Sequence, residues 1–137
     1  MIVDYGYNSQ EYFLDDRMEG TLVCINNHQS HFEPLKNIGN QDISSFVNFS
    51  HLSTLAEKNG LSIDGYLSQS SFLLNLGILE IFESKEYRSG EKVDELNKLK
   101  NILLPNTMGE IFKILVLTKN INRKLLSTKE FNHINKL

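Results

Sequence analysis

The chain has 137 residues, 40% of them apolar, which suffices for one hydrophobic core and excludes disorder as its overall state. Basic and acidic side chains number 14 and 17, a formal charge of −3. No basic block stands out, so neither nucleic acid nor an anionic membrane is expected as a partner. The single cysteine, Cys24, excludes an internal disulfide and any multi-cysteine zinc or iron–sulfur site, and fits a reducing, cytoplasmic compartment. Met1-Ile2-Val3-Asp4 has no basic region ahead of an apolar stretch, so no signal peptide is expected. The longest apolar run, Ile114 to Leu117, is far too short to span a bilayer.

Residues 1–5 read as a strand lacking its beginning, with Ile2 and Val3 suited to burial and Gly6 breaking the run. Tyr7 to Glu19 is polar and aromatic and reads as a loop or short irregular helix. Gly20 opens a β-prone stretch, Thr21-Leu22-Val23-Cys24-Ile25, and Asn26 to Gln41 follows as a long loop, a length often tied to function. Ser50 is placed to cap a helix running to about Asn59, with Leu52, Leu55 and Ala56 as its stripe and Gly60 as left-handed terminator. Leu61 to Leu67 alternates as a strand does. Ser70 or Ser71 is expected to cap a second helix, on which Phe72, Leu73, Leu76, Leu79 and Phe82 recur at helical spacing. A charged linker, Tyr87 to Glu91, leads to a third helix over 92–104, ended by Pro105. Ile111 to Thr118 is the strongest strand, and the basic, polar tail from Asn120 is expected to be mobile. Helices alternating with strands predict an α/β layer fold with a mixed or mostly parallel sheet.

His28 and His31 are spaced H-x-x-H with Glu33 behind them. A metal site would need a helical turn or tight loop and a third ligand. A structural or substrate-contacting role, or plain solvation, are the other readings. Cys24 lies in a predicted strand and reads as a small buried apolar residue. No glycine falls in a G-x-G-x-x-G or P-loop pattern, so a cofactor-phosphate or adenosyl-binding turn is not evident. Asp4-Tyr5-Gly6-Tyr7 sits at the carboxyl end of a predicted strand, where open α/β sheets bind ligands. An acid, two aromatics and a glycine there either contact a ligand or form an ordinary strand-to-loop turn.

Taken in order, several segments resemble the C-terminal half of the MidA-like class I SAM-dependent methyltransferases, bacterial relatives of the mitochondrial complex I assembly methyltransferase. Ile2-Val3-Asp4-Tyr5-Gly6-Tyr7 is similar to that family's strand ending in D-Y-G-Y, and Gly20-Thr21-Leu22-Val23-Cys24 to its G-T-L-x-C segment. His28, His31, Pro34, Gly39, Gln41, Asp42 and Ile43 follow in the family's spacing, then Gln69, Phe72-Leu73-Leu74 and Gly77. Met108-Gly109-Glu110 with Phe112-Lys113 resembles M-G-E-x-F-K. Two positions depart: Phe46 stands for a histidine and Asn48 for an aspartate of the family's D-I-T-A-H-V-D-F segment. Nothing here matches the family's Gly-rich cofactor turn, its ribose-binding acid or its N-E-x-x-D-A stretch.

The resemblance implies part of a Rossmann-like α/β fold over residues 1–119, a mixed sheet with flanking helices whose first half is absent, followed by the polar tail 120–137. It implies S-adenosyl-L-methionine as the complete enzyme's methyl donor, with no cofactor-binding residue in this chain, and a protein side chain, arginine by analogy, as acceptor. Asp4 and Asp42 are then the acids expected to orient the guanidinium, and Tyr5, Gly6, Tyr7, His28, His31 and Gln69 the residues expected to contact substrate. The chain by itself would be inactive. A separately encoded N-terminal half, or a second copy paired through an exposed sheet edge, would be its partner. The alternatives are a noncatalytic interaction module or a remnant of the family.

Overall fold

The computed structural model describes residues 1–27 and 29–137. Its main sheet has four strands in the order β5-β1-β7-β6, formed by β1 (Ile2–Tyr7), β5 (Val47–Asn48), β6 (Ser62–Ser68) and β7 (Phe112–Thr118). β5 runs parallel to β1, while β7 lies antiparallel between β1 and β6. The carboxyl ends of β1 and β6 therefore emerge at the same edge of the sheet. This is the mixed α/β architecture expected from the alternation of elements.

β7 reads as an unbroken apolar run because both of its faces are covered. On one face Leu115 packs with Phe49 and Tyr66, and Ile2, Leu52 and Leu117 close around them. On the other, Ile114 and Val116 pack with Leu67, Phe72 and Leu125. Phe49 comes from α2 (Phe49–Lys58) and Phe72 from α3 (Gln69–Asn75), so helices lie on both sides of the sheet. Strict alternation along β6 fails for the same reason: Tyr66 faces one helix layer and Leu67 the other, and both are buried.

The helix starts lie one or two residues before the expected caps. Asn48, not Ser50, caps α2, its Oδ1 accepting from His51 N at 3.0 Å. The Ser50 hydroxyl accepts instead from Ser9 N, binding α2 to α1 (Ser9–Tyr12). Ser68 caps α3 by accepting from Ser71 N. Gly77, in the left-handed region, divides the expected second helix into α3 and α4 (Ile78–Ser84). α5 (Glu91–Leu103) ends before Pro105, and the short α6 (Met108–Ile111) leads into β7.

Between β1 and α2 the chain forms a small separate sheet, order β3-β2-β4: β2 (Val23–Asn26), β3 (Gln29–His31) and β4 (Asp42–Ser44). The expected long loop is thus partly strand. Cys24 is fully buried, as its strand position suggested.

The tail is not the mobile segment expected from its composition. Asn132 accepts from Tyr66 N at 3.0 Å and donates to Asp64 O at 3.1 Å, and His133 N donates to Tyr66 O at 2.8 Å. These contacts satisfy the outer backbone edge of β6 as another strand would. Thr128 is fully buried against Gly65, where a Cβ would come within 2.5 Å of its methyl group. Polar composition concealed the docking because it rests on a few apolar groups, Leu125, Leu137 and the Thr128 methyl, together with backbone and amide hydrogen bonds.

Candidate functional site at the strand ends

A cleft of about 240 Å³ opens where β1 ends, walled by Tyr5, Gly6, Tyr7 and Phe46 and bounded by Glu110, Ile111 and Lys113. Alternation along β1 turns Tyr5 and Tyr7 to one face of the strand and Asp4 to the other. The Tyr5 ring lies 4.2 Å from that of Phe112 and 6.3 Å from that of Phe46, and Tyr7 lies 5.4 Å from Phe46. The guanidinium of Arg17 covers the Tyr7 ring at 4.1 Å, so one aromatic face already carries a stacked planar cation. Gly6 is required by close approach: a Cβ there would meet Val47 O at 2.2 Å and the Phe49 ring at 2.8 Å.

A second cavity of about 170 Å³ adjoins the first, and Glu110 and Lys113 border both. Its other polar walls include Asn8, Glu11, Ser68, His133 and Lys136. Tyr66 also borders it, with a buried hydroxyl that has no hydrogen-bond partner among the described residues. Burial, reinforced by the nearby Glu11 carboxylate, pushes the Tyr66 phenol well above its ordinary range, so it stays protonated and able to donate.

Glu110 is held in place from two directions. Gly109 packs so closely on the end of α5 that a Cβ would lie 2.3 Å from Leu103 O. Ser70 Oγ donates to Glu110 Oε1 at 2.9 Å, and Ser70 in turn meets the capping Ser68 hydroxyl at 2.9 Å. Lys113 Nζ donates to Glu110 O at 2.7 Å and stands 3.7 Å from Oε2, too far for a hydrogen bond to that oxygen.

Of the residues singled out from sequence, Tyr5, Gly6 and Tyr7 come together at the cleft. Asp4 is exposed, and its Oδ1 accepts from Tyr5 N at 2.8 Å. Asp42 and His31 belong to the small sheet, Asp42 exposed and His31 accepting from Glu33 N through Nδ1. His28 lies outside the described residues. Gln69 opens α3 and donates to Ile102 O at 3.0 Å, which ties α3 to the end of α5. Sequence reading assigned no role to Glu110, Lys113 or Tyr66, and gave Ser70 only that of a helix cap. The M-G-E-x-F-K resemblance marks the first two, and Phe46, a departure from the family's segment, lies on the cleft wall. Among the described residues no three His, Cys, Asp or Glu side chains gather as a metal site, and no helix is long and apolar enough to cross a membrane.

Residues 1–67 match the sequence model of a family described as "Putative S-adenosyl-L-methionine-dependent methyltransferase". Among solved structures, a COG1565 superfamily member from Burkholderia thailandensis, bound to S-adenosyl-homocysteine, is 30% identical, with a TM-score of 0.91 over 98% of this chain and 35% of its own. A native structure of a COG1565 superfamily protein from the same organism is also 30% identical, with a TM-score of 0.92 over 98% of this chain and 36% of its own. The chain thus spans about a third of the length of the solved structures it matches. No curated protein matches it in sequence. The chain is thus similar over its first 67 residues to the family described in those words, and in fold over nearly its whole length to a COG1565 superfamily member bound to S-adenosyl-homocysteine.

Proposed function

We propose that this chain supplies the acceptor side of an S-adenosyl-L-methionine-dependent methyltransferase that modifies a protein arginine side chain, in a cytoplasmic compartment. The observation that carries the reading is the aromatic cleft at the end of β1, bordered by Glu110, in a chain with the fold of a protein that binds S-adenosyl-homocysteine. When bound, the donor would supply an electrophilic methyl group on its sulfonium. The residues of this chain do not fit that donor: β1 ends in Tyr7 and passes through Asn8 into α1 with no glycine after Gly6, so it lacks the Gly-rich turn that brings backbone against such a cofactor. No step is therefore assigned to them on the donor side. Their part is to receive a flat, cationic side chain between Tyr5, Tyr7 and Phe46, shield it from water, and orient one nitrogen outward.

The donor side would come from polypeptide beyond these residues, in the same protein or a separate one. The β5-facing edge of β1 supports this. β5 covers only Gly6 and Tyr7, leaving Ile2 to Tyr5 without a strand neighbour on that side among the described residues. A further strand added there would pair the free backbone N–H and C=O groups of Ile2 to Tyr5. A second copy of the chain could use the same edge.

The test joins this chain to the part of the Burkholderia protein that it does not match, and supplies labelled donor with arginine-containing protein. Methylarginine after hydrolysis is the expected product. Label on lysine or a small molecule would contradict the acceptor class. A noncatalytic docking module is the second reading, favoured by Phe32, Leu35 and Ile38 near the small sheet, each about three-quarters exposed. A joined protein that binds S-adenosyl-homocysteine yet methylates nothing would favour it.

A further inference from the structure

Resting on the arginine-acceptor reading, we infer that Glu110, rather than Asp4 or Asp42, is the acid that binds the acceptor guanidinium, and that Ser70 positions it. Three observations converge on this carboxylate. First, Glu110 borders the aromatic cleft, whereas Asp4 is exposed, accepts from Tyr5 N and does not line the cleft, and Asp42 lies on the small sheet. Second, it is oriented before any ligand arrives, by the Ser70 hydroxyl on Oε1 and by the packing of Gly109 against Leu103. A carboxylate held in this way loses little further freedom on binding. Third, it keeps acceptor capacity: Ser70 occupies one direction on Oε1, and Lys113 Nζ, at 3.7 Å, leaves Oε2 without a hydrogen bond.

The walls select for the same chemistry. A guanidinium is planar, weakly hydrated and stacks on aromatic faces, while an ammonium is compact and strongly hydrated. Arg17 on Tyr7 shows that these rings accept a stacked guanidinium. A side chain lying along the Tyr5 and Phe46 rings in the cleft would bring its head group toward Glu110 at the cleft border, where paired N–H donors can meet a carboxylate. Lys113 would turn toward the adjoining polar cavity, whose border it shares.

The test uses the 137-residue protein itself, labelled with nitrogen-15 and titrated with Nα-acetyl-arginine amide or with the matching citrulline amide, its neutral isostere. The arginine compound is expected to shift amides at Tyr5, Tyr7 and 110–113, and the citrulline compound to bind at least about 10-fold more weakly. Glu110→Gln should weaken arginine binding by about 10- to 100-fold while keeping the folded spectrum, since the glutamine carbonyl can still accept from Ser70. Ser70→Ala, which keeps the charge but frees it, should fall between the two. Arginine binding that survives Glu110→Gln but is lost in Asp42→Asn or Asp4→Asn would overturn this inference and leave the acceptor class standing. Equal binding of the two amides, or none of either, would overturn both.

Discussion

Tyr66 shows how a buried hydroxyl can record a site. Its ring belongs to the core with Phe49 and Leu115, yet its oxygen has no partner among the described residues and borders a polar cavity. An unsatisfied buried hydroxyl costs about 1–3 kcal/mol. Tyr66→Phe should therefore leave stability unchanged or raise it by about 1 kcal/mol in urea unfolding; a clear loss would show that the hydroxyl is bonded in solution. The raised phenol has a second consequence. Above the ordinary tyrosine range the unfolded chain releases this proton while the folded chain keeps it, so stability falls as pH rises past about 10. That part of the alkaline slope should vanish in Tyr66→Phe. At Gly6 the prediction is steric: Gly6→Ala drives a methyl group into Val47 O and should cost at least about 2 kcal/mol, read as a lower urea midpoint with unchanged slope. Gly6 was expected to break the first strand, but it lies within β1, paired with Val47, because its missing side chain lets β5 and Phe49 approach. The orphaned Tyr66 was not legible, because the residues that line the cavity beside it, Asn8, Glu11, Glu110, Lys113, His133 and Lys136, lie far from it in sequence.

Among elements, patterns that depend on near neighbours were legible and those that depend on distant ones were not. The apolar run of β7, the left-handed Gly60 after α2 and the stop at Pro105 all appear where the sequence placed them. The caps were misplaced because Ser50 and Ser70 are claimed by tertiary partners, Ser9 and Glu110, leaving Asn48 and Ser68 to close the helices. Composition likewise concealed that the tail finishes β6. That docking is testable. Asn132→Ala removes the side chain that bonds both Tyr66 N and Asp64 O, and should cost about 1–3 kcal/mol. Hydrogen exchange at the Tyr66 amide should speed up more than exchange in α5. Equal protection in both proteins would mean that the tail does not hold this edge.

For the whole molecule, two layers of helices around a mixed sheet followed from the alternation of elements, and the cleft at the strand ends followed from where such sheets bind ligands. The assignment of acids within it did not, since Glu110 is 106 positions from Asp4 in the chain and reaches the cleft only because β7 returns antiparallel beside β1. The proposed division of labour has this chain receive the acceptor and polypeptide joined along β1 hold the donor. Calorimetric titration of S-adenosyl-homocysteine tests that division most directly, using the isolated chain and the same chain joined to the unmatched part of the Burkholderia protein. The joined protein is expected to bind, and the chain by itself to give no heat of binding. Binding by the isolated 137 residues, or a folded joined protein that fails to bind, would contradict it.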